Sequence, residues 1–186
     1  MTRIFALMGA IVVAGLVSTA AHAQQPPPSY VLPETGVSLA TGDSWEYGGR
    51  RFRLYGVQSC LRGTFFTNAR GQKADCGEAS LAYLAAVLKD TRPTCSGIAQ
   101  VSSRADPTDA STLVVCSAKV GSNMLDLGTI LITEGLAFAA YSVDGKPAYL
   151  PYVVAEREAA RRKAGLWAFA DLPHPTEILI NAARRQ

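Results

Sequence analysis

A chain of 186 residues with 48% hydrophobic and 18% charged residues has the apolar content for one packed domain, which excludes a disordered chain. The formal net charge of +3 is too small a surplus to argue by itself for a nucleic-acid partner. No P-loop, G-x-G-x-x-G or H-E-x-x-H pattern occurs, so the common nucleotide-binding and zinc-protease signatures are also excluded.

In chain order, residues 1–23 read as a cleavable signal peptide. Arg3 supplies the positive start, residues 4–17 an apolar run, and Ala21-His22-Ala23 the small-x-small pattern of a cleavage site. The run is short for a bilayer span and Pro26-Pro27-Pro28 follows at once, so a membrane anchor is the weaker reading and no span is expected after cleavage. The expected localisation is periplasmic or secreted. Cys60, Cys76, Cys95 and Cys116 then lie in the mature part, where an even number of cysteines favours disulfides. Zinc is the rival, but there is no C-x-x-C pair and His174 is the only histidine beyond the leader. His174, between Pro173 and Pro175, reads as an exposed loop residue rather than part of a catalytic triad.

Residues 24–37 are rich in proline and glutamine and read as a linker to a domain over 38–169. Segments 38–47 and 51–57 flank Gly48-Gly49 and predict a hairpin, with Phe52 and Leu54 on one face and Arg53 and Tyr55 on the other. Residues 62–74 read as a loop. A helix is expected from near Asp75, an N-cap with Glu78 placed for a capping box, and Leu81, Leu84, Ala85 and Leu88 form its apolar stripe.

Segments 94–102 and 112–120 predict two strands joined by a turn at 104–109. Paired as a hairpin, they set Cys95 opposite Cys116, with Val114, Cys116, Ala118 and Val120 on the core face. The expected disulfides are therefore Cys95–Cys116 across the hairpin and Cys60–Cys76 closing the loop. A second helix is expected from Asn123 as cap, with Asp126 at its third position, Met124, Leu127, Gly128 and Leu131 as its stripe and Gly135 as its end. A third is expected over 151–164. There Arg157, Arg161, Arg162 and Lys163 suggest either a nucleic-acid patch or, favoured because Glu156 and Glu158 interrupt the charge, a solvated amphipathic face. Residues 170–186 form a tail with a short helix around 178–184. The order of elements is that of an α+β domain, a small β-barrel decorated by helices.

Several segments together resemble the thermonuclease (staphylococcal nuclease-like) family. Gly42-Asp43-Ser44 and Gly48-Gly49-Arg50-Arg51-Phe52-Arg53-Leu54-Tyr55-Gly56-Val57 are similar to its opening hairpin, and Cys76-Gly77-Glu78-Ala79 to the start of its first helix. Leu131-Ile132-Thr133-Glu134-Gly135-Leu136-Ala137 with Tyr141 resembles its second helix and exit, and Ala164-Gly165-Leu166-Trp167 the end of its third. The cysteines resemble those of the secreted bacterial branch. The resemblance implies an OB-type five-stranded barrel with three helices, and calcium-dependent hydrolysis of DNA or RNA by carboxylates that hold the ion, a base that activates water and two arginines that stabilise the phosphoryl oxygens.

Carried over residue by residue, that set is incomplete. Asp43 stands at the first metal-binding aspartate and Arg53 at the first arginine. The family stretch Val/Ile-Asp-x-Pro-Glu reads Val57-Gln58-Ser59-Cys60-Leu61 here, so Gln58 replaces the second metal carboxylate and Leu61 the glutamate that serves water activation. Ser111 falls at the second arginine. Arg104, Asp106, Asp109, Asp75 and Glu78 are the candidates to rebuild a site, and Tyr55 and Tyr141 line the groove or are ordinary packing. The expectation is a noncatalytic binding or assembly module of the cell envelope, with an envelope protein or nucleic acid as partner and no cofactor. The alternative is a calcium-dependent nuclease with a rebuilt active site.

Overall fold

The computed structural model describes residues 29–102, 110–142 and 144–185. The signal segment and the 104–109 turn, with Arg104, Asp106 and Asp109, lie outside the described residues.

The first strand, β1 (Ser29–Val31), falls inside the segment read as linker; it pairs antiparallel with Thr94–Ser96, and Leu32 after it is buried. The single strand expected over 38–47 is two, β2 (Ser38–Thr41) and β3 (Ser44–Tyr47), because the chain reverses at Gly42-Asp43 and pairs Thr41 with Ser44. β3 continues into β4 (Arg50–Leu54) through Gly48 and Gly49, whose φ of 57° and 70° are those a two-residue hairpin turn needs and only glycine adopts freely. Phe52 and Leu54 are buried while Arg53 is half-buried on the other face, as the alternation predicts.

Next come β5 (Val57–Gln58), a small hairpin β6 (Phe65–Thr67) and β7 (Lys73–Asp75) within the expected loop, and α1 (Cys76–Thr91). The Asp75 carboxylate accepts the Glu78 N–H at 2.9 Å, the expected cap, but Glu78 completes no box and pairs with Arg62 instead. Leu84 and Leu88 are buried; Leu81 and Ala85 are half-buried beside them. β8 (Thr94–Ser102) and β9 (Ala110–Val120) form the expected hairpin with Cys95 opposite Cys116, and β9 also pairs parallel with β4, Arg51 opposite Ser111. Val114, Cys116 and Ala118 face the core, but Val120 is exposed where the strand outruns it.

One expectation is overturned beyond β9. Residues expected to begin a helix form β10 (Asn123–Asp126), which turns at Gly121 and pairs back on β9; Asp126, not Asn123, is the cap of α2 (Leu127–Thr133), accepting the Thr129 N–H at 2.7 Å. Met124 is accordingly exposed. β11 (Phe138–Ala139) pairs with β5, and α3 (Leu150–Arg162) packs on α2, joined to β10 by a 2.7 Å bond from the Tyr152 hydroxyl to Asp126. A 3-10 turn (Gly165–Ala168) and α4 (Pro175–Ala183) complete the chain.

Among the described residues the fold is α+β, with a curled, open sheet in the order β1-β8-β9-β4-β3-β2, β10 attached to β9, and four helices. The four strands predicted over 38–47, 51–57, 94–102 and 112–120 become seven in this sheet, against the five the resemblance implies, because β1 adds an edge, the first strand is split and β10 replaces a helical turn. Trp45, Phe52, Leu54, Leu84, Val114, Leu127 and Leu131 fill the main core. Cys60, Cys76, Phe66, Phe138 and Leu166 form a second cluster. Arg161 and Arg162 pair with Glu158 on an exposed face. Glu156 is not part of that face: it is buried and meets His174. His174 is not an exposed loop residue either, since its ring packs edge-on against Phe138.

Both expected disulfides are present, and the pairing fits an oxidising compartment. Among the described residues no helix is long and apolar enough to cross a membrane. Replacing Cys95 and Cys116 together by alanine is expected to lower the unfolding free energy by about 2–4 kcal/mol, read as a lower denaturant midpoint, with Cys60–Cys76 still intact by unreduced peptide mapping.

Candidate functional site

The β2–β3 turn sits against α1. A side chain at Gly42 would meet Ser80, its Cβ only 2.4 Å from the Ser80 Oγ and 2.8 Å from the Ser80 backbone carbon, so glycine is required for the turn to approach the helix. That approach places the next residue, Asp43, inside the protein at 2% exposure.

A buried carboxylate needs compensation, and each of its oxygens finds it. Asp43 Oδ1 accepts from the Ser59 hydroxyl at 3.0 Å and from the Thr41 hydroxyl. Oδ2 accepts from Arg53, whose Nε and Nη2 both lie 3.0 Å away. The same Arg53 Nη2 donates to Gln58 Oε1 at 3.0 Å, and Gln58 Nε2 donates to the Ser59 carbonyl at 2.9 Å. The Asp43 carbonyl accepts from the Leu54 N–H at 2.9 Å. The turn, β4 and β5 are thus tied by one polar network with an ion pair at its centre.

This network floors a cleft of about 440 Å³. Asp43, Arg53, Gln58, Leu61 and Ser111 all line it, so the five mapped positions, scattered along the chain, do converge at one place. Ser111 is brought there by its pairing opposite Arg51. Arg51, Arg62 and Leu179 also line the cleft. Arg51 donates to Glu46 at 2.9 Å and Arg62 to Glu78 at 3.4 Å, both exposed pairs that contribute little to stability.

The tyrosines are placed differently. Tyr55 turns away and donates to the Ala148 carbonyl at 2.9 Å. Tyr141 lines a separate small cavity of about 50 Å³ with Gln58, Thr176, Leu179 and Ile180, and burial pushes its phenol up. Asp75 is occupied as a cap and accepts the Gly63 N–H at 2.7 Å, and Glu78 is exposed.

Calcium favours six to eight oxygen ligands, with carboxylates free to give lone pairs. Among the described residues Asp43 is the only carboxylate lining the cleft, and its oxygens and that of Gln58 are already bonded to donors. A cation entering here would have to displace the Arg53 guanidinium. The donor set among the described residues does not fit the ion.

Sequence reasoning missed Thr41 and Ser59 as the partners of Asp43, although the run Thr41-Gly42-Asp43-Ser44 carries a turn signal in which hydroxyls bond nearby carboxylates. It also missed Leu179, for which the sequence gives no cue. The chain matches no family model, and no curated protein matches its sequence. Gly42→Ala is expected to push the turn off α1 and destabilise the protein by about 1–3 kcal/mol, measured by urea unfolding.

Proposed function

We propose that this is an exported, thermonuclease-like domain of OB type whose catalytic cleft has become a non-hydrolytic one, and that it works as a binding or assembly module in the cell envelope, periplasmic or secreted. The observation that carries this reading is the engagement of Arg53. In a phosphodiesterase that arginine must turn to the phosphoryl oxygens; here its Nε and Nη2 are bonded to the buried Asp43 and Gln58, with the rest of the side chain half exposed at the cleft. The neutral Gln58 accepts this bond where a second acidic ligand would stand.

The other cleft positions support the same reading. Leucine at 61 supplies neither a ligand nor a base, and loss of a positioned base typically costs about 10²–10⁴-fold. Serine at 111 supplies no charge, and loss of a transition-state donor costs about 10²–10³-fold. What is left is a cleft lined by Arg51, Arg53 and Arg62, which pair with Glu46, Asp43 and Glu78; of these three acids only Asp43 lines the cleft itself. Such a surface suits a polyanion or an acidic protein segment better than a divalent cation. The two disulfides support service outside the cytoplasm.

The test is a digestion of single-stranded DNA with calcium by the oxidised mature protein, beside Arg53→Ala and a Gln58→Asp/Leu61→Glu/Ser111→Arg variant. No cutting by the wild type is expected. Calcium-dependent cutting that Arg53→Ala abolishes would overturn the reading and point to a rebuilt nuclease. Salt-dependent binding without cutting would favour nucleic acid as the partner class, and neither cutting nor binding would leave the assembly role.

A further inference from the structure

The C-terminal segment is held firmly up to one point and loosely after it. Asp171 accepts from the Thr67 N–H at 2.9 Å, the Thr67 hydroxyl at 2.7 Å and Lys73 Nζ at 3.1 Å. Three residues on, His174 Nε2 lies 3.2 Å from the buried Glu156 carboxylate, and Pro175 is buried. From Thr176 to the end of α4 no residue is buried. Among the described residues, no side-chain hydrogen bond or ion pair joins 176–185 to the rest of the protein.

Yet this loose helix stands at the cleft. Leu179 lines both the 440 Å³ cleft and the 50 Å³ cavity, and so does Gln58 across from it. Ile180 and Thr176 close the cavity over Tyr141. Leu179 remains 44% exposed, with the open volume of the cleft beside it. A helix with so little buried surface belongs to the least stable part of a fold and opens without global unfolding.

We propose that α4 is a displaceable strap, hinged at residues 172–175, that covers the Gln58 end of the cleft and controls access to it. With the strap in place the cleft and the cavity are separate. With it lifted, Leu179 and Ile180 leave, and the two merge into one groove running from Ser111 past Arg53 and Gln58 to Tyr141. The strap regulates the same cleft that the proposed function treats as the binding site, but its test needs no ligand, so either can fail without the other.

All four cysteines are in disulfides, so a single added thiol reports local access. The probe is the labelling rate of Gln58→Cys by a maleimide in the full oxidised chain, with and without Ile180→Pro, which breaks α4 from within. Ser111→Cys, at a position that lines the cleft but not the cavity lined by α4, is the control. The expected result is a rise of roughly tenfold or more at position 58 when α4 is broken, with position 111 unchanged. An unchanged rate at 58, or equal rises at both positions, overturns the proposal. Hydrogen exchange of the unmodified protein is the second measurement, because Gln58→Cys also removes the Arg53 partner. The amides of α4 are expected to exchange faster than those of α3 while the core stays protected. Equal protection of the two helices overturns the strap.

Discussion

A carboxylate taken out of water must be neutralised where it stands, and much of the cleft follows from how this protein meets that demand at Asp43. The turn that buries Asp43 needs Gly42 to touch α1. The buried charge then needs Arg53 from β4 and two hydroxyls from either side. Arg53 in turn fixes Gln58 on β5, and Gln58 fixes the Ser59 carbonyl at the start of the cleft wall. Removing either charged member would leave the other uncompensated, a costlier event than never having had the pair. The arrangement therefore holds a cleft open in a defined shape while consuming the polar groups that would otherwise act on a ligand.

On the proposed reading, the same cleft keeps the geometry of a site whose chemistry has changed. Asp43, Arg53, Gln58, Leu61 and Ser111 come from the β2–β3 turn, β4, β5, the segment after it and β9, yet they meet in one place because the β4–β9 pairing and the Gly42 contact bring them there. Those are constraints of the fold, and they persist whatever stands at positions 58, 61 and 111. A leucine or a serine can occupy such a position without disturbing the backbone that presents it.

Much of this was legible in the sequence, for physical reasons that also mark where legibility ends. The Gly48-Gly49 hairpin, the Asp75 cap and the facing cysteines at 95 and 116 are local signals, written in glycine stereochemistry, capping and strand periodicity, and the structure has all three. The 123–126 segment went the other way. Asn123 and Asp126 each satisfy a cap rule, and only the hairpin turn at Gly121, a long-range choice of partner, decides between strand and helix. His174 reads as an exposed loop residue because prolines flank it, and Glu156 as part of a solvated face because charged residues follow it; the burial of His174 depends on Phe138 and Trp167, which no local pattern links to it, and Glu156 is buried beside His174. Of the site, the convergence of five residues was readable through a family resemblance, but the closure of the Asp43–Arg53–Gln58 network and the presence of Leu179 were not.

The pairing of β1 with β8 has a consequence for the order in which the molecule comes together. Ser29–Val31 is among the first parts of the domain to leave a ribosome, and its partner Thr94–Ser96 follows only after α1 has been made. Tyr30 can meet Phe52 earlier, but its strand has no hydrogen-bonding neighbour until β8 is made. The edge of the sheet is therefore completed late, by a strand that must wait in an unfinished chain for its neighbour, and contacts so distant in sequence slow folding. The N-terminal edge of the sheet therefore closes only after residues about 65 positions further along have been made.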